Sequence, residues 1–226
     1  IKFPAMIILR SLNFLLNEKK YSKNYAIKKI ADLKTVCFYA ETEGIQINYQ
    51  IKKIQTPKTK NEFILYLTPD ELNQIAKIDI ENESLNNARK WLLLGCNIGQ
   101  RGGDLLNINE SNFVERNGLK VIELQQEKTY KPVTIPILDS TQKILEKGLP
   151  YKISSQKLNK YVKTICEIAE INELIEGRLY DKKTQRKLLG MYPKYKLITS
   201  HSMRRTFATN LYGKLPTMVI MAITGH

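Results

Sequence analysis

The chain has 226 residues, 42% of them hydrophobic, which is enough to bury one large core or two smaller ones without disulfides or metals. Its formal net charge of +14 is far from neutral, and the basic residues recur along the chain rather than forming a tail, which indicates a polyanion bound along an extended surface. The three cysteines, Cys37, Cys96 and Cys166, are far apart in apolar helical patterns, which predicts reduced core residues and excludes a disulfide framework or zinc motif.

Two helices are predicted at the start of the chain, over 5–18 and 24–43, because apolar residues recur there with a helical period. Gly44 follows as a C-cap. Lysines cover this pair of helices, and a solvated face and a phosphate-contacting face explain them about equally well. The candidates for DNA contact are Lys19, Lys20, Lys23, Lys28 and Lys29.

A linker follows, because residues 52–62 are polar and basic, contain a proline and show no period. We therefore predict a first domain over 1–55, a linker over 56–66 and a second domain over 67–226.

The second domain opens with a capping box, in which Thr68 and Glu71 flank Pro69 at the start of a helix. A helix over about 84–98 ends at Gly99. Arg101 follows within GQRGGDLLNI, where glycines on both sides let the backbone turn sharply.

A small antiparallel sheet comes next. Strands over 112–115 and 119–126 flank Asn117-Gly118, a strong hairpin signal, and 133–137 makes a third strand. The turn over 127–131 puts Lys128 at a hairpin tip, and helices follow at about 140–147 and 155–170.

Residues 178–196 hold seven Lys and Arg against one acid, Asp181, which predicts an exposed loop or a loose helix. Its candidates for DNA contact are Lys182, Lys183, Arg186 and Lys187.

The final stretch, TSHSMRRTFATNLYGKLPTMVIMAITGH, contains both histidines of the chain. His201 and Arg204 are three residues apart, so one helical turn places them on the same face. His226 follows Gly225, a helix cap. An arginine and two imidazoles suit a phosphate oxygen, whereas the simpler alternative is a basic amphipathic helix with a histidine packed against it.

These segments resemble the tyrosine recombinase (phage integrase) family, in a variant similar to integrases of mobile elements in Bacteroides-like bacteria. GQRGGDLLNI resembles the first-arginine box, QQEKTYKPVTIPI the hairpin-lysine box, SHSMRR the H-x-x-R box and ITGH the G-H box. The resemblance covers Thr68 to His226, and more weakly residues 1–55.

The resemblance implies a mainly helical α+β catalytic domain with a small antiparallel three-stranded sheet, preceded by a partial helical core-binding (SAM-like) domain. It implies that a tyrosine attacks a DNA phosphate to leave a 3′-phosphotyrosyl link and a free 5′-hydroxyl. The catalytic set would be Arg101, Lys128, His201, Arg204 and His226, with Asp104 holding Arg101 in place.

Other roles remain open for three of these residues. Arg101 could act only as a helix cap or as the partner of Asp104, and Lys128 could be an ordinary hairpin-tip lysine. Arg205, a further candidate for DNA contact, could exchange roles with Arg204, although only Arg204 has the family spacing from His201.

The resemblance implies no metal or other cofactor, in agreement with the lack of a clustered Asp/Glu set in the sequence. The partners would be double-stranded DNA, held by both domains, and further copies of the chain in a tetramer on paired sites, with accessory DNA-bending proteins as a further option. No secretory signal or run of 18 apolar residues is present, so we expect no membrane partner and a cytoplasmic, nucleoid-associated bacterial protein.

The family tyrosine lies about two helical turns beyond the G-H box, and none of the 12 tyrosines matches that position. We therefore expect a piece of a longer protein, itself unable to cut DNA, with the nucleophile beyond His226. Three alternatives remain: a non-catalytic DNA-binding accessory or regulatory protein of this fold, a type IB topoisomerase and, weakly, an RNA-binding domain.

Overall fold

The computed structural model describes residues 10–54, 63–146 and 148–225. The chain divides into two compact units, Ile1–Glu62 and Phe63–His226, and the division lies inside the predicted linker. His226 and the end of the helix predicted over 140–147 lie outside the described residues, as do 1–9 and 55–62.

The first unit is helical in its described part. Residues 10–13 are α-helical and continue into a π-helix, Phe14–Glu18, so the described part of the helix predicted over 5–18 is confirmed. Helix α1, Lys23–Thr42, begins where the Ser22 hydroxyl accepts a hydrogen bond from the Tyr25 N–H at 3.2 Å. A short helix α2, Gln50–Lys53, lies within the predicted first domain and includes the first two residues of the polar stretch 52–62.

The second unit is mainly helical, with two small antiparallel sheets. The helices are α3 Pro69–Lys77, α4 Glu83–Ile98, α5 Gly102–Leu106, α6 Asp139–Leu145, α7 Ser155–Ile168, α8 Lys194–Leu197, α9 Ser200–Leu211 and α10 Thr217–Thr224. The strands are β1 Phe113–Arg116, β2 Leu119–Gln125, β3 Pro132–Pro136, β4 Leu174–Asp181 and β5 Arg186–Pro193. The predicted mainly helical α+β class with a three-stranded antiparallel sheet is confirmed.

Helix α4 passes through the core of this unit. Trp91, Leu92 and Leu94 are fully buried on it, and the indole N–H of Trp91 donates to the carbonyl of Tyr151 at 2.9 Å. Since α4 packs against α7 and α9, it links the first-arginine box at its C-terminus to the helix that carries the H-x-x-R box.

The sheet β1–β2–β3 follows the predicted hairpins. Asn117 and Gly118 both have positive φ, +52° and +77°, as a tight hairpin turn between twisted strands requires. Strand β2 pairs with β1 on one side and with β3 on the other, with Leu124 opposite Val133.

Two of the three cysteines occupy the predicted core positions. Burial raises the pKa of the Cys166 thiol to about 12 and that of Cys96 further still, which suits inert packing residues. Cys37 is only half-buried, so its prediction as a core residue was wrong. In the described part of the chain, no helix is long and apolar enough to cross a membrane.

The prediction of a loop or loose helix over 178–196 was wrong. Most of this segment forms the antiparallel hairpin of β4 and β5. Apolar side chains pair across one face, with Leu179 opposite Leu188 and Ile175 opposite Tyr192. The many basic residues on and beside the strands concealed this alternation, because they mimic the composition of a solvated loop.

One lysine of this basic run is part of the interior. The ammonium group of Lys194 contacts both carboxylate oxygens of Glu71 at 2.7 Å, and its side chain is 8% exposed. Glu71 also accepts the Thr68 N–H at 2.6 Å, which completes the predicted capping box. Lys194 therefore joins α8 to α3 and is not available to DNA.

We predict that Lys194→Ala lowers the free energy of unfolding by about 3 kcal/mol, because it leaves the Glu71 carboxylate buried without its cation. Lys182→Ala, an exposed change in the same basic run, should alter it by less than about 0.5 kcal/mol. Urea unfolding of both variants checks this. Equal stability of the two variants would contradict the structural role of the pair.

Candidate active site

The turn between α4 and α5 positions Arg101. Gly99 ends α4 in the left-handed conformation, with φ +67°, and a side chain there would overlap the Phe207 ring of α9. The chain then reverses, and Arg101 becomes the N-cap of α5. A Cβ on Gly102 would lie 2.8 Å from the Ser200 hydroxyl, so this turn lies directly against the start of α9.

Helix α9 brings His201 and Arg204 to the same place. It begins with a capping box between Thr199 and Ser202, which fixes where its first turn starts. Arg204 is 5% exposed, and its Nη1 donates to the carbonyl of Gly99 at 3.3 Å. Arg204 of the H-x-x-R box is thus hydrogen-bonded to Gly99, the residue at which the turn into the first-arginine box begins.

The two guanidinium groups lie close enough to affect each other. The pKa of Arg204 falls to about 10, because of its burial first and the positive charge of Arg101 second, while the carboxylate of Asp104 acts in the opposite direction. The site therefore holds more positive than negative charge, and an anion bound there would be stabilised.

His201 opens the same helix and lies at the surface. Its pKa falls below the ordinary value of 6.5 because of partial burial and then the charges of Arg205, Arg204 and Arg101. The imidazole is consequently neutral at pH 7 and can accept a proton.

The hairpin between β2 and β3 lies against the Arg101 turn. Asp104 is buried, and its Oδ1 accepts the backbone N–H of Glu127 at 3.0 Å, while its Oδ2 lies 3.8 Å from Nη1 of Arg101. That carboxylate thus binds the hairpin, whereas the hydrogen-bond acceptor for Nη1 of Arg101 is Oε1 of Gln126 at 2.6 Å. Lys128, two residues after Gln126, is exposed in the turn of the hairpin.

Two buried glutamines, Gln100 and Gln126, complete the site, and sequence reasoning missed both. Nε2 of Gln126 donates to Oε1 of Gln100 at 3.0 Å and to the carbonyl of Thr224 at 2.9 Å. The only indication in the sequence was their position, because Gln100 directly precedes Arg101 and Gln126 is two residues before Lys128.

The geometry therefore groups Arg101, Asp104, His201 and Arg204, and holds the base of the Lys128 hairpin against them. The segment that ends at Gly225 is bonded to the same group through Gln126. His226, the remaining predicted site residue, lies outside the described residues.

The residues of the second unit also match a family model. The model of the family described as "Phage integrase family" matches residues 65–226. The chain belongs to the phage integrase family. No curated protein sequence matches it.

Solved structures of lambda integrase and of the site-specific recombinase XerH have the same fold. A lambda integrase fragment, in a dimer bound to a COC′ core site, matches with a TM-score of 0.65 at 19% identity, over 97% of this chain and 77% of that chain. XerH bound to a palindromic difH substrate, in a post-cleavage complex, matches with a TM-score of 0.66 at 16% identity, over 97% and 65%.

A lambda integrase tetramer bound to a Holliday junction matches with a TM-score of 0.63 at 17% identity, over 97% of this chain and 62% of that one. Two further matches, to lambda integrase and XerH chains, cover 60% and 63% of those chains. At these low sequence identities, the matches show that the folds are similar.

The predicted DNA-contacting residues of this integrase-family chain lie in both units. In the first unit they are all exposed, although Lys29 also contacts Asp32 at 3.3 Å. In the second unit Lys182, Lys183 and Lys187 are exposed at or near the tip of the β4–β5 hairpin, while Arg186 in the same hairpin and Arg205 on α9 are half-buried. The pKa of Lys163 is lowered by partial burial first and by the positive charge of Lys187 second.

We predict that the His201 imidazole titrates below its ordinary pKa of 6.5, and that Arg205→Ala raises its pKa, since Arg205 contributes the largest charge effect. NMR titration of the imidazole protons checks this, with His201→Gln to assign the signal. A pKa unchanged in Arg205→Ala would contradict the proposed electrostatic cause.

Proposed function

We propose that this chain is the DNA-binding and catalytic region of a site-specific tyrosine recombinase, an integrase of a mobile element (transposon) of the Bacteroides type. The observation that carries the proposal is the convergence of Arg101 and Arg204 beside one buried carboxylate. Two guanidinium groups that raise each other's electrostatic energy favour a bound phosphate, whose oxygens accept planar paired hydrogen bonds.

In this mechanism Arg101 and Arg204 bind the two nonbridging oxygens of the scissile phosphate. Negative charge grows on these oxygens as the pentacoordinate transition state forms. Donors fixed in advance stabilise that charge without the reorganisation that water would require. The bond of Arg204 to the Gly99 carbonyl and that of Arg101 to Gln126 support such prior fixing.

The proton transfers are assigned to His201 and Lys128. The neutral imidazole of His201 takes the proton of the attacking tyrosine, whose oxygen bonds to phosphorus. The bond from phosphorus to the 5′-oxygen breaks, and the ammonium group of Lys128 gives that oxygen its proton. His226 donates a hydrogen bond to the phosphate. The proposed nucleophile is a tyrosine that follows the G-H box at the spacing that the family resemblance implies.

The reaction as proposed needs no metal or cofactor of its own. The phosphotyrosyl link conserves the energy of the phosphodiester, so attack by a 5′-hydroxyl on this link rejoins strands and returns the proton to the tyrosine. Exchange between two DNA sites requires several active sites, and we propose a tetramer on paired sites, with accessory DNA-bending proteins as further partners.

DNA would be bound by both units. We propose that residues 1–55 are a core-binding domain and 67–226 the catalytic domain, with 56–66 as the linker. The proposed phosphate contacts outside the site are basic residues of the first unit and of the β4–β5 hairpin, with Arg205 beside the site. They are Lys19, Lys20, Lys23, Lys28 and Lys29, and Lys182, Lys183, Arg186 and Lys187.

The full-length protein, incubated with a nicked suicide substrate that carries the end of its element, should form a covalent adduct that survives SDS. Arg204→Ala should slow adduct formation by about 10²- to 10³-fold, because the transition-state oxygens no longer have this donor. Arg205→Ala is the comparison variant and should slow adduct formation at saturating DNA less than Arg204→Ala does, since Arg204 is the arginine buried against Gly99. Specific DNA binding without an adduct would instead favour a non-catalytic accessory protein, and cleavage without paired sites a type IB topoisomerase.

Replacement of both Lys182 and Lys183 by alanine should weaken DNA binding and flatten its salt dependence. For every phosphate that is no longer neutralised, the slope of log K against log salt should become shallower by about 0.9. The control is Lys77→Ala with Lys143→Ala, which removes two exposed charges elsewhere in the same unit. Equal slopes for the two double variants, measured by fluorescence anisotropy, would contradict a role of the hairpin tip in DNA binding.

A further inference from the structure

The side chain of Gln126 is fully buried and uses its whole amide. Its Oε1 accepts Nη1 of Arg101 at 2.6 Å and the hydroxyl of Thr129 at 2.9 Å. Its Nε2 donates to Oε1 of Gln100 at 3.0 Å and to the carbonyl of Thr224 at 2.9 Å. Both donors and both lone pairs therefore have partners.

The partners fix which way this amide faces. Nε2 of Gln100 is already bonded to the carbonyls of Ile98 and Ile223, at 3.0 and 2.7 Å, so Gln100 presents its oxygen to Gln126. A reversed Gln126 would direct its oxygen at two acceptors and its NH₂ group at the Arg101 cation. The network consequently has one arrangement, in which an oxygen faces Arg101.

The same amide lies against the end of α10. A Cβ on Gly225 would overlap the Gln126 amide, so only glycine allows this close approach. Gln126 thus belongs to the lysine hairpin, contacts Arg101 by one end of its amide and touches the residue before His226 by the other.

A competing partner for Arg101 lies nearby. Oδ2 of Asp104 is buried 3.8 Å from Nη1 of Arg101, and no described residue forms a hydrogen bond with it. Without an acceptor at Gln126, the guanidinium group gains most by closing that distance and forming an ion pair. Such a movement would aim Arg101 at the interior carboxylate and away from the position of a bound phosphate.

We propose that Gln126 is a positioning residue: its Oε1 holds Arg101 ready for the scissile phosphate, and its Nε2 holds the end of α10, through the Thr224 carbonyl, in the same hydrogen-bond network. This inference rests on the proposed recombinase function for its catalytic consequence, although the restraint on Arg101 exists without DNA. Gln126 touches neither the phosphate nor the reacting atoms, and it acts through Arg101 and through the end of α10.

The test replaces Gln126 by methionine, which keeps the length of the side chain and removes its hydrogen bonds. Gln125→Met is the matched control, because Gln125 is the exposed neighbour, and its side chain donates to the carbonyl of Tyr130. Asn87→Leu is the stability control, since the Asn87 amide is buried and makes two hydrogen bonds to the backbone of Tyr151.

The first readout needs no DNA. Rotation about the Nε–Cζ bond of Arg101, followed by NMR of arginine-labelled protein, should be slow in the wild type and in Gln125→Met. In Gln126→Met the rotation of Arg101 should become fast, or its rate should change to that of a guanidinium group paired with a carboxylate. The rotation of Arg204 should stay restrained. Fast rotation in the wild type, or unchanged rotation in Gln126→Met, would overturn the proposal.

The second readout is single-turnover cleavage of the suicide substrate by the full-length protein at saturating DNA. Gln126→Met should lower the rate by about 10²-fold, the effect of a misplacement of about 1 Å, with DNA affinity unchanged. Asn87→Leu should keep the wild-type cleavage rate, although its free energy of unfolding falls by about as much as that of Gln126→Met. If the rates of both variants fell in proportion to their stability, Gln126 would have only a structural role.

The two readouts separate failure of this inference from failure of the proposed function. A wild type that forms no adduct contradicts the recombinase function, and the arginine dynamics still decide whether Gln126 restrains Arg101. A wild type that forms the adduct at the same rate as Gln126→Met contradicts the positioning role alone.

Discussion

A buried primary amide must satisfy two donors and one oxygen, and the second unit is built around two such amides, Gln100 and Gln126. An unpaired N–H or oxygen at this depth would cost about 1–3 kcal/mol, so every partner has to be in place at once. The partners come from the end of α4, the turn before α5, the β2–β3 hairpin and the end of α10. Three of the four family boxes are therefore held together by hydrogen bonds in which these two glutamines are the common partners.

The arginines then impose an electrostatic condition on the assembled site. Burial disfavours the charged form of Arg204, and the proximity of Arg101 disfavours it further, which is why its pKa falls. The carboxylate of Asp104 offsets only part of this, because it is shared with the backbone of the hairpin. The folded protein thus holds two guanidinium groups that repel each other. A phosphodiester group, with its two nonbridging oxygens, is an anion whose geometry matches such a pair.

The sequence predicted local structure well wherever a local cause determined it. The capping box at Thr68, the turn at Asn117 and the helix end at Gly99 each depend on residues within a few positions, and all three were confirmed. Long-range partners could not be predicted. Nothing in the local sequence distinguishes buried Gln126 from exposed Gln125, because the difference arises from partners as far along the chain as Thr224. Charge composition likewise misled the assignment of the β4–β5 hairpin.

The convergence of the two arginines is tested most directly by a structure of the protein bound to half-site DNA with an intact scissile phosphate. We predict that Arg101 and Arg204 each donate to a nonbridging oxygen of that one phosphate, while Gln126 still accepts from Arg101 and donates to Thr224. A phosphate contacted by only one of these arginines would contradict the convergent site. So would an Arg101 that leaves Gln126 to reach the DNA.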